Sequence, residues 1–242
     1  MSLPPLGRTA LLLDLDGTLL DFAPAPDLVV VPPALIDALR HLRERLDDAL
    51  AVITGRPIGD IDRLLGDLPF AVAGEHGGAI RHAPGAAQTR PALAEMPADW
   101  LPAAQALKAA TPGVLLEKKA RGFVLHFRAV PDAGPALRTA LDRIIAGVPG
   151  FAVLHSAMAW EVRPSGVHKG TAVEALMQTA PFAGRLPLFI GDDVTDMDAI
   201  VAARTLGGAG LKVDEAFGGP VDVRAWLAAA AEEADWPGLP LG

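Results

Sequence analysis

Four short runs of mainly apolar residues constrain the fold of this chain more than any other feature. They are Ala10–Leu15, Leu50–Ile53, Phe70–Ala73 and Leu186–Ile190. Strands that are apolar on both faces are typical of a parallel sheet that helices cover on both sides. Between the first two runs lie four leucines with the spacing of one helical face: Leu35, Leu39, Leu42 and Leu46. The alternation predicts an α/β fold with a doubly wound, Rossmann-like parallel sheet.

The pattern changes between residues 83 and 164, where prolines first mark a stretch that resembles a linker. Beyond it the sequence predicts a helix, a hairpin, a second helix and a second hairpin. The predicted helices are Asp99–Ala110 and Gly134–Ile145, and the predicted hairpins pair Val114–Lys119 with Phe123–Arg128 and Phe151–His155 with Ala159–Arg163. Strands joined by tight turns pair antiparallel. We therefore expect residues 1–82 and 165–242 to form the core, and residues 83–164 an inserted α+β domain.

Acidic residues follow two of the apolar runs. Asp14 and Asp16 end the first run, and Asp192, Asp193 and Asp196 follow the last one. Because the carboxyl ends of parallel strands meet at one edge of a sheet, we expect these side chains to converge. Carboxylates beside apolar strands are costly without a compensating cation, and Mg²⁺ prefers such oxygen ligands. The alternatives are solvated aspartates at the first strand end and a helix-capping aspartate at the second.

Two further residues belong to the same predicted edge. Thr54 ends the second run, where its hydroxyl and the backbone amides of a following helix suit a phosphate oxygen. Lys169 precedes the helix that follows the inserted segment. Taken one at a time, a helix-capping threonine and a solvated surface lysine are the better interpretations.

In this order the four segments closely resemble the haloacid dehalogenase-like phosphatase superfamily, whose pattern is DxDGT, a strand-end Ser or Thr, a Lys and an acidic GDD-type segment. The resemblance implies that Asp14 is the nucleophile that forms an aspartyl-phosphate. It implies that Asp16 is the general acid and then the general base. Thr54 and Lys169 would hold the phosphoryl oxygens.

The same resemblance implies one cofactor, Mg²⁺. Its ligands would be Asp14, the carbonyl group of Asp16 and Asp192, with Asp193 or Asp196 in support. A metal, a lysine and amide dipoles supply the positioning and charge neutralisation that phosphoryl transfer needs.

Several strings spread along the chain are similar to the trehalose-6-phosphate phosphatase family. They are Ile53–Pro57, Gly74–Gly77, Leu116–Lys119, Val124–Arg128, Glu161–Pro164 and Phe189–Asp196. The resemblance implies hydrolysis of trehalose 6-phosphate, with the inserted domain as a cap that selects the substrate. Two residues depart from the family pattern. Met197 replaces a usual Glu, which we expect to weaken a contact behind the metal-binding segment, and His168 replaces a frequent Asn, which bears on a contact between cap and core.

The predicted cap contains a local basic cluster in an acidic chain. Between residues 114 and 128, Lys118, Lys119, Arg121 and Arg128 outnumber the single acid Glu117. Such a cluster suits an anionic substrate. Without the resemblance, paired charges on exposed hairpins would be the better interpretation. With it, the expected substrate-binding residues are Arg56, Glu117, Lys119, Glu161 and Arg163.

Composition excludes several classes of protein. The chain has 242 residues, a formal net charge of −8 and no cysteine, which argues against nucleic-acid binding by counterion release and excludes disulfides and thiolate sites. Asp14 and Asp16 interrupt the only leucine run near the N-terminus, so we expect neither a signal peptide nor a membrane span. We expect a cytoplasmic monomer that acts on a small phosphosugar. The competing functions are a phosphatase for another glycosyl phosphate, a phosphomutase and a phosphosugar-binding module without activity.

Overall fold

The apolar runs form strands in the computed structural model, which describes residues 3–23, 28–92, 94–119, 121–156 and 158–241. In chain order the elements are β1 (Thr9–Leu13), α1 (Pro33–Arg45), β2 (Leu50–Ile53), α2 (Ile58–Leu65), β3 (Ala71–Gly74), β4 (Ala79–Arg81), α3 (Trp100–Ala110), β5 (Leu115–Lys118), β6 (Phe123–His126), α4 (Gly134–Ile145), β7 (Phe151–Ser156), β8 (Ala159–Pro164), α5 (Lys169–Met177), β9 (Leu186–Gly191), α6 (Met197–Thr205), β10 (Ala209–Lys212), α7 (Val213–Ala216) and α8 (Pro220–Glu232).

A six-stranded sheet has the strand order β10-β9-β1-β2-β3-β4. All neighbouring strands in it pair in parallel except β4, which pairs antiparallel with β3. Every residue of β1 and β2 is buried, so helices cover both faces of the sheet as the apolar runs predicted. Helix α1 packs against α8, and α5 packs against α6. The predicted α/β fold with a Rossmann-like sheet is confirmed.

The sheet contains two strands that the sequence pattern did not reveal. Glycines at positions 207, 208 and 210 obscure one of them, β10, which begins at Ala209 and contains Gly210. A Cβ atom on Gly208 would lie 1.9 Å from the carbonyl oxygen of Pro187, and one on Gly210 would lie 2.7 Å from Cα of Ile200. Close packing therefore requires glycine at positions 208 and 210. Because glycine is not a large apolar residue, β10 lacks the apolar run that would have predicted a strand. Strand β4 is short and ends in the buried Arg81.

A second, four-stranded antiparallel sheet has the order β5-β6-β8-β7. One of its faces carries a separate apolar core that Phe123, Leu125 and Val162 share with residues of α3 and α4, among them Ala104 and Leu141. On the other face, the registers align Glu117 of β5 with Val124 of β6 and with Glu161 of β8. The predicted order of helix, hairpin, helix and hairpin is what the structure contains.

The described residues divide into two compact units. The core unit comprises the residues up to Pro91 and from Val167 onward, and the inserted unit is Ala92–Gly166. The first boundary lies later than the expected position 82, because Thr89 pairs with Ile80 beside β4 and Arg90 forms an ion pair with Glu75. Within the described parts of the chain, no helix combines the length and the apolar character that crossing a membrane requires.

Candidate active site

The loops that follow β1 and β9 bring three carboxylates together. Strand β1 pairs in parallel with β9, and the ladder ends where the Asp14 amide donates a hydrogen bond to the Ile190 carbonyl oxygen at 2.9 Å. Immediately beyond, Asp14, Asp192 and Asp196 each offer a carboxylate oxygen, and these oxygens all lie within 4.8 Å of one another. The predicted convergence of Asp14 and Asp192 at one sheet edge is therefore what the structure contains.

Lys169 lies between two of these carboxylates. Its Nζ donates to Oδ1 of Asp14 and to Oδ1 of Asp196, both at 2.6 Å. The three side chains are almost fully buried, with exposed fractions of 3%, 6% and 0%. Lys169 is the first residue of α5, whose N-terminus His168 caps through the Thr171 amide. The interpretation of Lys169 as a solvated surface lysine is therefore wrong, because the helix start directs it into the site.

Asp196 holds the backbone of the acidic segment in place through hydrogen bonds. Its Oδ2 accepts hydrogen bonds from the backbone amides of Asp192 and Asp193 at 3.0 and 2.9 Å. Gly191 leaves the necessary room, since a Cβ atom there would lie 2.4 Å from Cγ of Asp196. The family resemblance implied only a supporting role for Asp196. Its spacing as the third acid after the strand was the available signal.

Asp193 has a different environment from the clustered carboxylates. Its Oδ1 accepts from the amide of Val194 at 2.6 Å and caps the short 3₁₀ turn Val194–Asp196. The capping alternative thus describes Asp193, which is not among the three carboxylates grouped in the described chain. Met197 follows this turn as a partly exposed residue at the start of α6.

Burial controls the electrostatics of the cluster. Burial raises the pKa of Asp14 to about 8, although Lys169 opposes the effect. Burial and then the charge of Asp196 also raise the pKa of Asp192. For Lys169, burial acts downward but the Asp14 and Asp196 carboxylates outweigh it, so the pKa is raised and the side chain stays cationic. Three acids around one ammonium leave an excess of acidic groups, and their hard oxygen donors fit a divalent cation such as Mg²⁺.

The turn after β1 adds a hydroxyl group to the cluster. Thr18 Oγ1 lies 3.4 Å from Oδ2 of Asp14 and 3.3 Å from Oδ1 of Asp192. Thr18 is fully buried, so its hydroxyl is held between the two carboxylates. Gly17, the residue before it, has φ of +79°, a conformation that favours glycine.

Asp16 is held by a different cation. Arg56 donates from Nε to Oδ2 of Asp16 and from a terminal nitrogen to Oδ1, both at 2.6 Å. The hydrogen bond to Asp16 is the main cause that raises the pKa of Arg56. The acidic side chains after β1 were expected to converge, but β1 ends at Leu13, and the carboxyl groups of Asp14 and Asp16 have separate partners.

Thr54 lies at the end of β2 and is buried. Its Oγ1 accepts a hydrogen bond from the amide of Arg56 at 3.2 Å. The N-cap position of α2 is Pro57 rather than Thr54, so the threonine shapes the loop before the helix instead of capping the helix itself.

The predicted substrate-binding residues of the inserted unit lie on β5 and β8 and in the loop after β5. Glu117 forms an ion pair with Lys119 and a hydrogen bond with His126, whose Nε2 is 3.0 Å from Oε2. The hydrogen bond from Lys119 is the main cause that lowers the pKa of Glu117. Glu161 and Arg163 are partly buried on β8. Glu117 is thus paired with neighbouring side chains, as expected for paired charges on exposed hairpins.

Comparisons with known proteins agree with these motifs. The sequence pattern of the trehalose-phosphatase family matches residues 12–224. The chain is 39% identical over 212 residues to a probable trehalose-phosphate phosphatase of Sinorhizobium fredii, covering 86% of this chain and 78% of that protein. It is 36% identical over 221 residues to the trehalose-6-phosphate phosphatase of Escherichia coli, covering 88% and 83%.

A solved structure shows the same fold. The trehalose-6-phosphate phosphatase of Aspergillus fumigatus superposes with a TM-score of 0.67 at 24% identity, covering 93% of this chain and 92% of that chain. The resemblance in the motifs is confirmed by this fold and by the two sequence relatives of similar length. With its family pattern matched from residue 12 to residue 224, the chain belongs to the trehalose-phosphatase family of phosphoric monoester hydrolases.

Proposed function

We propose that this protein hydrolyses trehalose 6-phosphate to trehalose and phosphate, through an aspartyl-phosphate on Asp14 and with the aid of Mg²⁺. One observation carries the proposal. Asp14 lies just beyond the end of β1, where it contacts Lys169 and lies close to the carboxylates of Asp192 and Asp196. The similarity of this chain to the probable trehalose-phosphate phosphatase of S. fredii and to the trehalose-6-phosphate phosphatase of E. coli supports the choice of trehalose 6-phosphate.

Asp14 is the candidate attacking group. Lys169 holds Oδ1 at 2.6 Å, which leaves Oδ2, beside the Thr18 hydroxyl, as the oxygen for attack on phosphorus. The new bond joins this oxygen to phosphorus while the bond from phosphorus to the sugar oxygen breaks. Asp16 gives its proton to the departing sugar oxygen. Asp16 then takes a proton from water, whose oxygen attacks phosphorus and releases phosphate from Asp14.

Mg²⁺ would be held by Asp14, the carbonyl group of Asp16 and Asp192, with Asp193 or Asp196 in support. When bound, the ion neutralises charge on the phosphoryl oxygens and brings them near the nucleophile. Lys169 and the hydroxyl of Thr54 are the candidate groups for the remaining phosphoryl oxygens. Asp196 orients the acidic segment through the two backbone amides that it accepts.

The inserted unit supplies the candidate residues for the sugar. Glu117, Lys119, Glu161 and Arg163 offer acceptors and donors to hydroxyl groups, and Glu117 is kept ionised by its partners. A polar site that pairs with hydroxyl groups discriminates strongly against sugars that lack them. Arg56 is the remaining candidate for substrate binding.

The test is phosphate release from trehalose 6-phosphate and glucose 6-phosphate, with Mg²⁺ and with a chelator. We expect release from trehalose 6-phosphate that needs the metal and far exceeds release from glucose 6-phosphate. Equal turnover of the two sugars would contradict the substrate. The Asp14→Asn variant should fold normally and release no phosphate, and retained activity would contradict the nucleophile. An isomerised sugar phosphate among the products would indicate a phosphomutase instead.

A further inference from the structure

The contact between Arg56 and Asp16 has the geometry of a clamp. Two parallel hydrogen bonds of 2.6 Å join the guanidinium group to both oxygens of the carboxyl group. Both side chains are partly shielded, with exposed fractions of 12% for Arg56 and 27% for Asp16. A planar fork on a carboxylate fixes direction as well as distance, which a lysine cannot do.

The turn that follows β3 holds the backbone of Arg56 in place. The carbonyl oxygen of Arg56 accepts from the amide of Glu75 at 3.0 Å, and that of Thr54 accepts from the amide of His76 at 2.9 Å. Glu75 and His76 have φ of +53° and +56°, which side-chain-bearing residues rarely adopt. This left-handed turn directs both amides at the loop after β2. The Gly74–Gly77 segment carries no proposed catalytic group, and it instead holds the loop after β2 in place.

The His76 ring also packs onto this loop. A Cβ atom on Gly55 would lie 2.7 Å from Cε1 and 2.8 Å from Nε2 of His76. Only a glycine at position 55 permits that approach. The loop that carries Arg56 is therefore fixed through backbone hydrogen bonds and through contact with a ring.

We propose that Arg56 is a positioning residue, which holds the carboxyl group of Asp16 in the orientation needed to protonate the departing sugar oxygen. When Asp16 takes up a proton from water, one of its oxygens keeps a hydrogen bond from Arg56, and the other carries the proton that passes to the sugar oxygen. The proposal rests on the proposed function, in which Asp16 acts on the leaving group. Asp16 lies beyond the end of β1, in a turn where the sheet no longer fixes its side chain. Since small displacements of a reacting group are costly to the rate, a two-point clamp on that side chain has a direct effect on catalysis.

The leaving group separates this role from phosphate binding. A sugar oxygen needs a proton as it departs, whereas p-nitrophenolate departs without one. In Arg56→Lys, which keeps the charge and loses the fork, kcat/KM for trehalose 6-phosphate should fall about 100-fold, the contribution of a positioned acid. With p-nitrophenyl phosphate, kcat/KM should fall less than about threefold, since no proton is required.

Combination with Asp16→Asn gives the second test. If Arg56 acts through Asp16, adding Arg56→Lys to Asp16→Asn should cause no further loss with trehalose 6-phosphate. Equal losses for the two substrates in Arg56→Lys, or losses that multiply in the double variant, would assign Arg56 to phosphate binding and overturn the proposal. Arg40→Lys is the matched control, because Arg40 forms an exposed ion pair with Asp37 on α1 at 2.9 Å.

Failure of the proposed function gives a different result. In that case the unsubstituted enzyme would not release phosphate from trehalose 6-phosphate, and the comparison is made with whichever sugar phosphate it does hydrolyse. The ratio of kcat/KM for that sugar phosphate to kcat/KM for p-nitrophenyl phosphate still measures the effect of Arg56 on departure of the leaving group. A circular dichroism melt of each variant verifies that the chain is folded.

Discussion

Gly17 lies so close to Asp192 that a Cβ atom on the glycine would be 2.1 Å from Oδ2 of the carboxylate. The glycine also has φ of +79°, so a side chain would be strained there even with more space. Since Thr18, the next residue, contacts both Asp14 and Asp192, this close approach holds the turn after β1 against the segment after β9. The spacing of the candidate metal ligands therefore depends on the absence of one methyl group.

Replacing Gly17 by alanine should impair the metal site. The new methyl group displaces the Asp192 carboxylate, and loss of one ligand interaction of about 1.4 kcal/mol corresponds to a tenfold loss of Mg²⁺ affinity. Isothermal titration with Mg²⁺ and phosphate release at saturating metal would measure the effect. Gly59→Ala is the control, because Gly59 lies in α2 with no atom within 4 Å of a new Cβ and without a positive φ. Unchanged metal affinity in Gly17→Ala would contradict the prediction.

Replacing Lys169 by methionine should destabilise the protein as well as inactivate it. The variant leaves Asp14 and Asp196 buried without their shared cation, and breaking a buried ion pair in this way costs about 3–5 kcal/mol. Urea unfolding in the presence of a chelator would measure the loss. Lys108→Met, at an exposed position of α3, should leave the free energy of unfolding nearly unchanged. A Lys169→Met protein as stable as the unsubstituted chain would show that the carboxylates tolerate burial without the lysine.

The pKa of Asp14 predicts how stability depends on pH without metal. Burial raises this pKa from 3.8 to about 8, so near neutral pH the folded chain keeps a proton that the unfolded chain has released. Because the folded state binds more protons, the free energy of unfolding should fall as the pH rises from about 4 to about 8. Thermal melts in a chelator would follow the decrease, and Asp14→Asn should flatten it. A slope that is identical in Asp14→Asn would contradict the assignment.

Magnesium should reverse this pH dependence. The ion requires the ionised carboxylate, so its binding expels the proton and its affinity should increase as the pH rises toward about 8. Titration calorimetry in two buffers with different ionisation enthalpies would detect the released protons. Affinity that is constant across this range would show that Asp14 is already ionised in the metal-free protein.

The sequence predicted those parts of the fold that depend on local patterns. The bounds of β2 and α4 agree with the expected Leu50–Ile53 and Gly134–Ile145, because an apolar run and a helical spacing are properties of consecutive residues. The meeting of Asp14 with Asp192 was predictable as well, since parallel pairing places both strand ends on one edge. Strand β10 was not, because its glycines are set by neighbours distant in the sequence.

The finer contacts of the site were beyond sequence reasoning for a similar reason. Nothing near Lys169 in the sequence indicates that its amine is buried between Asp14 and Asp196. Likewise, Arg56 was expected to bind substrate, and its contact with Asp16 depends on how the ends of β1 and β2 turn. Long side chains reach across several strands, so their partners follow from the three-dimensional arrangement alone.

Replacing Glu117 by glutamine should reduce selection of the sugar and leave the chemistry intact. Lys119 and His126 keep the pKa of Glu117 low, so the carboxylate is available as an acceptor for sugar hydroxyl groups at neutral pH. An amide loses the charge that holds these partners, and kcat/KM for trehalose 6-phosphate should fall about tenfold or more. With p-nitrophenyl phosphate, which has no sugar, kcat/KM should stay unchanged. Glu95→Gln is the control, because Glu95 is an exposed acid paired with Arg121 in the same unit. An equal loss of kcat/KM with both substrates would mean that Glu117 stabilises the inserted unit rather than binding the sugar.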